Sequence, residues 1–138
     1  MKEFEFYNPV RVFFGRDQLS KIGGLLPEES KVMVLYGGGS IKKNGVYESL
    51  LKALAGFRVS EFSGIEPNPS YETCMEAVEK IRKEHCTFLI AAGGGSVIDA
   101  VKFIAAAALF REGDPWTILT SRAPVNEALP FGAVLTLP

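Results

Sequence analysis

Two runs of three glycines closed by a serine, at residues 37–40 and 93–96, are the residues of this chain best suited to chemistry. Each follows a short apolar run, and the second leads straight into a helix-forming stretch. Glycines remove side chains, so the backbone can turn sharply and approach a ligand closely. A helix that starts there aims its first free N–H groups and its positive dipole end at whatever lies over the glycines, which suits a phosphate. Gly93, Gly94, Gly95 and Ser96 do not complete the dinucleotide fingerprint G-x-G-x-x-G, because its third glycine falls where Ile98 stands. The alternative is a plain strand-to-helix turn, with Ser96 as N-cap and Asp99 closing a capping box. Asp99 and Lys102 are nearly the only polar groups on a helix otherwise apolar all round. They are either an i,i+3 ion pair, worth about 0.2–0.5 kcal/mol, or groups that line a cleft.

Elements at matching intervals would position these residues. Residues 87–92 are apolar without alternation, as in a strand buried on both faces. The helix after them carries Val97, Val101, Ile104, Ala105 and Ala108 at helical spacing and ends at Leu109. KVMVLY, residues 31–36, is a second such strand and runs into the first glycine turn. That turn continues through Lys43, Asn44 and Gly45 before a helix over 46–55 with an apolar stripe of Val46, Leu50, Leu51 and Leu54. Residues 57–62 alternate and read as a strand nearer an edge. In the loop 64–69, Pro67 and Pro69 restrict the chain around Asn68. Ser70 caps a helix over 71–84 that turns Cys74, Ala77, Val78 and Ile81 inward. Gly113, Asp114 and Pro115 break the pattern; residues 116–119 read as an apolar turn, 121–130 as a loop and 131–137 as a last buried strand.

At the N-terminus, Phe4, Phe6, Val10, Val12 and Phe14 alternate on either side of Asn8-Pro9, which predicts a short hairpin or bent edge strand. Asp17 is placed to cap a short helix over 18–22. Strands and helices alternating at this spacing predict α/β architecture with a parallel sheet flanked by helices. Ligands on such sheets bind beyond the carboxyl ends of the strands, where both glycine turns and the Asn68 loop fall.

The 138 residues fit one domain, and 47% hydrophobic residues suffice for a core. A net charge of -1 from 15 basic and 16 acidic residues, without a basic block, lacks the footprint of a nucleic-acid partner. No run predicts a membrane span or signal peptide, so a cytoplasmic protein is expected. Cys74 and Cys86 lack metal or redox spacing and read as reduced structural thiols. His85 is the single histidine. A site built from it, Cys86 and Cys74 lacks an evident fourth ligand.

The segments YNPVRVFFG, YGGGSIKKNGVYESLLKAL, GIEPNPSYET, GGGSVIDAVKFIAAA, DPW and VLTLP, in this order, resemble the iron-containing (group III) alcohol dehydrogenase family. The resembling branch is that of NADPH-dependent butanol dehydrogenases and broad-range aldehyde reductases. The resemblance implies that residues 1–138 form a Rossmann-like dinucleotide-binding domain with a short N-terminal β-hairpin, similar to the N-terminal domain of dehydroquinate synthases. It also implies that the family's helical domain, which holds Fe²⁺ or Zn²⁺ through one aspartate and three histidines, is absent from this chain. One histidine cannot supply three.

Carried over by motif, Gly93, Gly94, Gly95 and Ser96 would cradle the pyrophosphate, and Asp99 and Lys102 would line the nicotinamide side. Asn68 and Thr136 would also contact the cofactor. An acidic residue after Tyr36 would bind a free ribose 2′-OH and repel a 2′-phosphate. Gly38, Gly39 and Ser40 stand there instead, with Lys42 and Lys43 nearby, which favours NADP(H) over NAD(H). The expectation is the NADP(H)-binding domain of a metal-dependent oxidoreductase acting on alcohols and aldehydes, inactive alone because it lacks the metal domain that would receive the substrate. A stand-alone nucleotide-binding or regulatory module and a glycerol dehydrogenase-like fragment are the alternatives. The apolar N-terminal segment and an open last strand point to a homodimer.

Overall fold

The computed structural model describes residues 1–136. Four strands, β1 (Lys31–Tyr36), β2 (Arg58–Phe62), β3 (Phe88–Gly93) and β4 (Phe131–Leu135), form one sheet in the order β2-β1-β3-β4. All three pairings are parallel, with Leu35 opposite Phe62, Tyr36 opposite Ala92, and Gly93 opposite Leu135. From β1 the chain steps outward to β2 and then back across to β3. Strand order therefore reverses between β1 and β3, the place where sheets of this kind take their ligands.

Successive strand residues face opposite sides, and two cores result. Met33 and Leu35 of β1 and Leu89 and Ala91 of β3 pack on one side against α3 (Tyr71–Glu84) and α4 (Gly95–Leu109). Val32, Val34, Tyr36, Ile90 and Ala92 pack on the other against Leu26, Ile41, Leu50 and Leu54, drawn from α1 (Ser40–Lys43), α2 (Val46–Ala53) and neighbouring turns. This is a Rossmann-like parallel α/β sheet flanked by helices, as the alternation of elements predicts. α3 starts where expected, the Ser70 hydroxyl oxygen accepting the Thr73 N–H at 3.1 Å. Beyond the other end of α4, Arg82 donates to the carbonyls of Ala107 (2.8 Å), Ala108 (3.0 Å) and Phe110 (3.2 Å), filling acceptors that a helix C-terminus leaves free.

Four expectations require correction. Residues 1–14 form no hairpin: no strand is present there, and Phe4 and Phe14 are 84% and 97% exposed. Two short arms around Pro9 bury too little to hold a hairpin without a third strand. Asp17 does not cap through its side chain; it adopts a left-handed conformation (φ 58°) before a 3₁₀ helix, Gln18–Gly24, and its carbonyl accepts the Ser20 hydroxyl. Residues 116–120 make a short helix, α5 (Trp116–Thr120), because the Asp114 carboxylate accepts the Trp116 N–H at 2.9 Å and the Asp114 carbonyl accepts the Thr117 N–H at 3.0 Å. The last strand is not buried: β4 is an edge, with Phe131 38% and Leu135 58% exposed, and Leu137 lies outside the described residues.

Candidate functional site

The three glycines after β3 do different jobs. Gly93 is buried as the last residue of the strand, and a Cβ on it would stand 2.8 Å from Val97 Cγ2 and 3.1 Å from Val97 Cβ. Close packing of strand against helix requires this glycine. Gly94 is extended (φ -86°, ψ -167°) and precedes α4, its carbonyl accepting the Ile98 N–H at 3.2 Å. A Cβ on Gly94 or Gly95 would meet nothing within 4 Å. Packing thus makes no demand at either position, and open space lies over the start of α4.

Gly94 is the N-cap of α4, without a side-chain cap, so Ser96 does not cap and no Ser96–Asp99 capping box forms. The helix begins at Gly95, two residues before Val97, the first residue of its apolar pattern. Its first turn contains no acidic residue, so no local carboxylate there answers the free N–H groups and the positive dipole end. An anion from outside the chain fits that position.

The Asn68 loop is fastened across this end of the sheet. Gly64 N–H donates to the Gly37 carbonyl at 3.0 Å and Ile65 N–H to the Tyr36 carbonyl at 3.2 Å, which lays the loop over the end of β1. Glu66 accepts the Ser70 N–H at 2.8 Å and the Thr73 hydroxyl at 2.9 Å. Led by the Ser70 N–H, these donors lower the Glu66 pKa to about 2. Between the prolines Asn68 is left-handed (φ 52°), and its N–H reaches Ser96 Oγ at 3.4 Å. Thr136 N–H donates to the Gly93 carbonyl at 3.0 Å and extends the β4 pairing to the same turn. Asn68, Ser96, Thr136 and the second glycine turn therefore lie together. Asp99 and Lys102 are exposed on α4, beyond its first turn.

The first glycine turn borders a separate cleft of about 320 Å³, lined by Tyr36, Gly37, Gly38, Gly39, Lys42, Ser63 and Gly64. Gly39 needs its missing side chain for conformation, at φ 99°. Ser40 opens α1 and is exposed, but it is not among the residues that line the cleft. Lys42 Nζ lies 4.9 Å from the centroid of the Tyr47 ring and 5.6 Å from that of Tyr36. Tyr36 Oη donates to Glu61 Oε1 at 3.3 Å. Ser63 and Glu61 carry no motif that marks them in the sequence, and Tyr47, though inside the segment 36–54, has no role marked there; the tertiary fold places all three here.

Among the described residues no group of three or more His, Cys, Asp or Glu side chains could hold a metal ion. Cys74 and Cys86 are buried free thiols, and desolvation raises the pKa of both. His85 is exposed at the end of α3 in a left-handed conformation (φ 55°). No described helix is long and apolar enough to cross a membrane.

A parallel sheet with a glycine turn after each of the two strands that flank its switch point defines a Rossmann-like domain of the kind that receives phosphate-bearing ligands beyond its strand ends. A family model described as iron-containing alcohol dehydrogenase matches residues 9–138, and the chain belongs to that family. It is 49% identical over 140 residues to the NADPH-dependent aldehyde reductase YqhD of Escherichia coli, a match covering 100% of this chain and 36% of that protein. It is 44% identical over 144 residues to a probable NADH-dependent butanol dehydrogenase 1 of Bacillus subtilis, covering 99% of this chain and 36% of the relative. A solved structure of the Escherichia coli aldehyde reductase, free of substrate and cofactor, superposes with a TM-score of 0.95 at 48% identity, covering 99% of this chain and 37% of that one. The chain thus spans little more than a third of the length of these relatives.

Proposed function

We propose that this chain is the NADP(H)-binding domain of an oxidoreductase that interconverts primary alcohols and aldehydes. The observation that carries this reading is the start of α4: free N–H groups, no acidic residue in the first turn, and two glycines, Gly94 and Gly95, that packing does not require. The residues fit a dinucleotide. Backbone N–H groups at Gly94, Gly95 and Ser96 would hold the pyrophosphate, with Gly93 keeping β3 close to α4. Asn68 and Thr136 would border the cofactor, and Asp99 and Lys102 would face its nicotinamide half. When bound, the nicotinamide supplies the hydride chemistry; the residues of this chain supply position and charge balance.

The named cofactors of the relatives differ, NADPH for the Escherichia coli reductase and NADH for the Bacillus protein, so cofactor choice must come from local residues. The turn after β1 offers Gly38, Gly39, the Ser40 hydroxyl and the Lys42 ammonium, and no carboxylate on the turn itself. That set favours a 2′-phosphate. The described residues do not fit the Fe²⁺ or Zn²⁺ of the wider family, and no step through a metal is assigned to them. Alcohol or aldehyde would meet the cofactor in a further domain of the family type, in a cytoplasmic protein. The exposed apolar residues Phe4, Phe6, Val12 and Phe14 suit a homodimer contact, which light scattering tests: a monodisperse monomer contradicts it.

Ser40→Asp is the test of cofactor choice. A carboxylate there should repel the 2′-phosphate, accept from a free 2′-OH, and shift preference from NADPH to NADH in calorimetric titration. An unchanged preference in this variant contradicts the assignment. The chain with added Fe²⁺ or Zn²⁺ should not turn over alcohol or aldehyde, and metal-dependent turnover would overturn the division of labour.

A further inference from the structure

We infer that Lys42 discriminates between nucleotides with and without a ribose 2′-phosphate, and that Tyr47 positions it. This deepens the dinucleotide reading and rests on it. The sequence offers two adjacent cations after the first glycine turn, but Lys42 lines the 320 Å³ cleft and Lys43 is not among its lining residues.

A surface lysine on a four-carbon stem ordinarily samples many positions. Lys42 is seated. Its ammonium lies 4.9 Å from the Tyr47 ring centroid and 5.6 Å from that of Tyr36, within cation–π range of both. The two rings meet edge to face, with centroids 6.0 Å apart and planes at 66°. Tyr36 is buried and tied to Glu61 Oε1 through its hydroxyl. Glu61 also pushes the Tyr47 phenol above its ordinary pKa. The rings hold the cation beside Gly37, Gly38 and Gly39, where a phosphate on the adenosine ribose would lie.

Glu61 makes the assignment specific. Its carboxylate stands on the edge strand β2 beside the tyrosines, and without the Lys42 charge this corner would repel a phosphate. Lys42 therefore both offers a charge-assisted donor and offsets Glu61. A nucleotide ending in a free 2′-OH gains little from either effect.

The test uses adenosine 2′,5′-bisphosphate and 5′-ADP as probes, titrated into the unaltered chain and its variants, with circular dichroism checking that each variant folds. Lys42→Met should weaken the 2′,5′-bisphosphate about tenfold, the loss of one charge-assisted contact at an exposed site, and leave 5′-ADP unchanged. Lys42→Arg should retain the discrimination. Tyr47→Phe should retain it as well, since the ring face remains, and Tyr47→Leu should reduce it. Added salt should narrow the gap between the probes for the unaltered chain. If Lys42→Met binds 5′-ADP and keeps the full preference for the bisphosphate, or loses both probes equally, the role of Lys42 is overturned while the dinucleotide reading stands. If the unaltered chain binds neither probe, both fall together.

Discussion

Replacing Gly93 and Gly94 in parallel separates what the fold needs from what the ligand needs. At Gly93 an added methyl would lie 2.8 Å from Val97 Cγ2, well inside van der Waals contact, against a side chain whose β-branch leaves it little freedom in a helix. Gly93→Ala should therefore cost about 1–3 kcal/mol as overpacking. Val97→Ala in the same chain should restore part of that loss by making room. At Gly94 the backbone is extended and a Cβ meets nothing within 4 Å. Removing the glycine's freedom in the unfolded chain favours Gly94→Val, and loss of a good N-cap residue opposes it, so net stability should stay within about 1 kcal/mol of the original. Its effect belongs to binding. A valine over the start of α4 would hold a pyrophosphate away from at least one backbone N–H, a contact to a charged group worth about 1.5–3 kcal/mol, or about 10- to 150-fold in Kd. Urea unfolding and NADPH titration of both variants read the two quantities. A Gly94→Val chain that binds NADPH normally, or that unfolds as easily as Gly93→Ala, would refute the partition.

Two further predictions concern the supports of the site. Arg82→Ala should destabilise the chain by about 2 kcal/mol, because the carbonyls of Ala107, Ala108 and Phe110 lose a cationic donor; thermal unfolding measures it, and an unchanged midpoint would show that water replaces the guanidinium without loss. Glu66 has a folded-state pKa of about 2, below its ordinary 4.5, so its contribution is present above pH 4.5 and disappears as pH falls through about 2. Glu66→Gln should flatten the pH dependence of unfolding within that window, and a profile identical to that of the original chain would contradict the role given to the Ser70 and Thr73 donors.

How much of this was legible beforehand varies with the range of the interaction. α3 could be read whole, since Ser70 as cap and a helical apolar stripe over 71–84 are both local signals. β1 and β3 were legible because strands buried on both faces lose alternation. The start of α4 was not: Ser96 and Asp99 fit a capping box, but the N-cap is Gly94, two residues before Ser96, and glycine dihedrals leave no trace in a residue pattern. Nor was the exposure of β4, which depends on strand order. At the N-terminus, alternation marked residues able to form strands but could not supply a partner for them. The glycine turns, Asn68 and Thr136 were visible as motif. The roles of Tyr47, Glu61 and Ser63 were invisible because only the fold brings them to the Gly37 turn.

Calorimetric titration of the unaltered chain with NADPH and with NADH tests the central claim most directly. The account predicts saturable binding of both, with NADPH the tighter. Equal affinities would contradict the cofactor assignment, and absence of saturable binding for either would contradict the dinucleotide site itself.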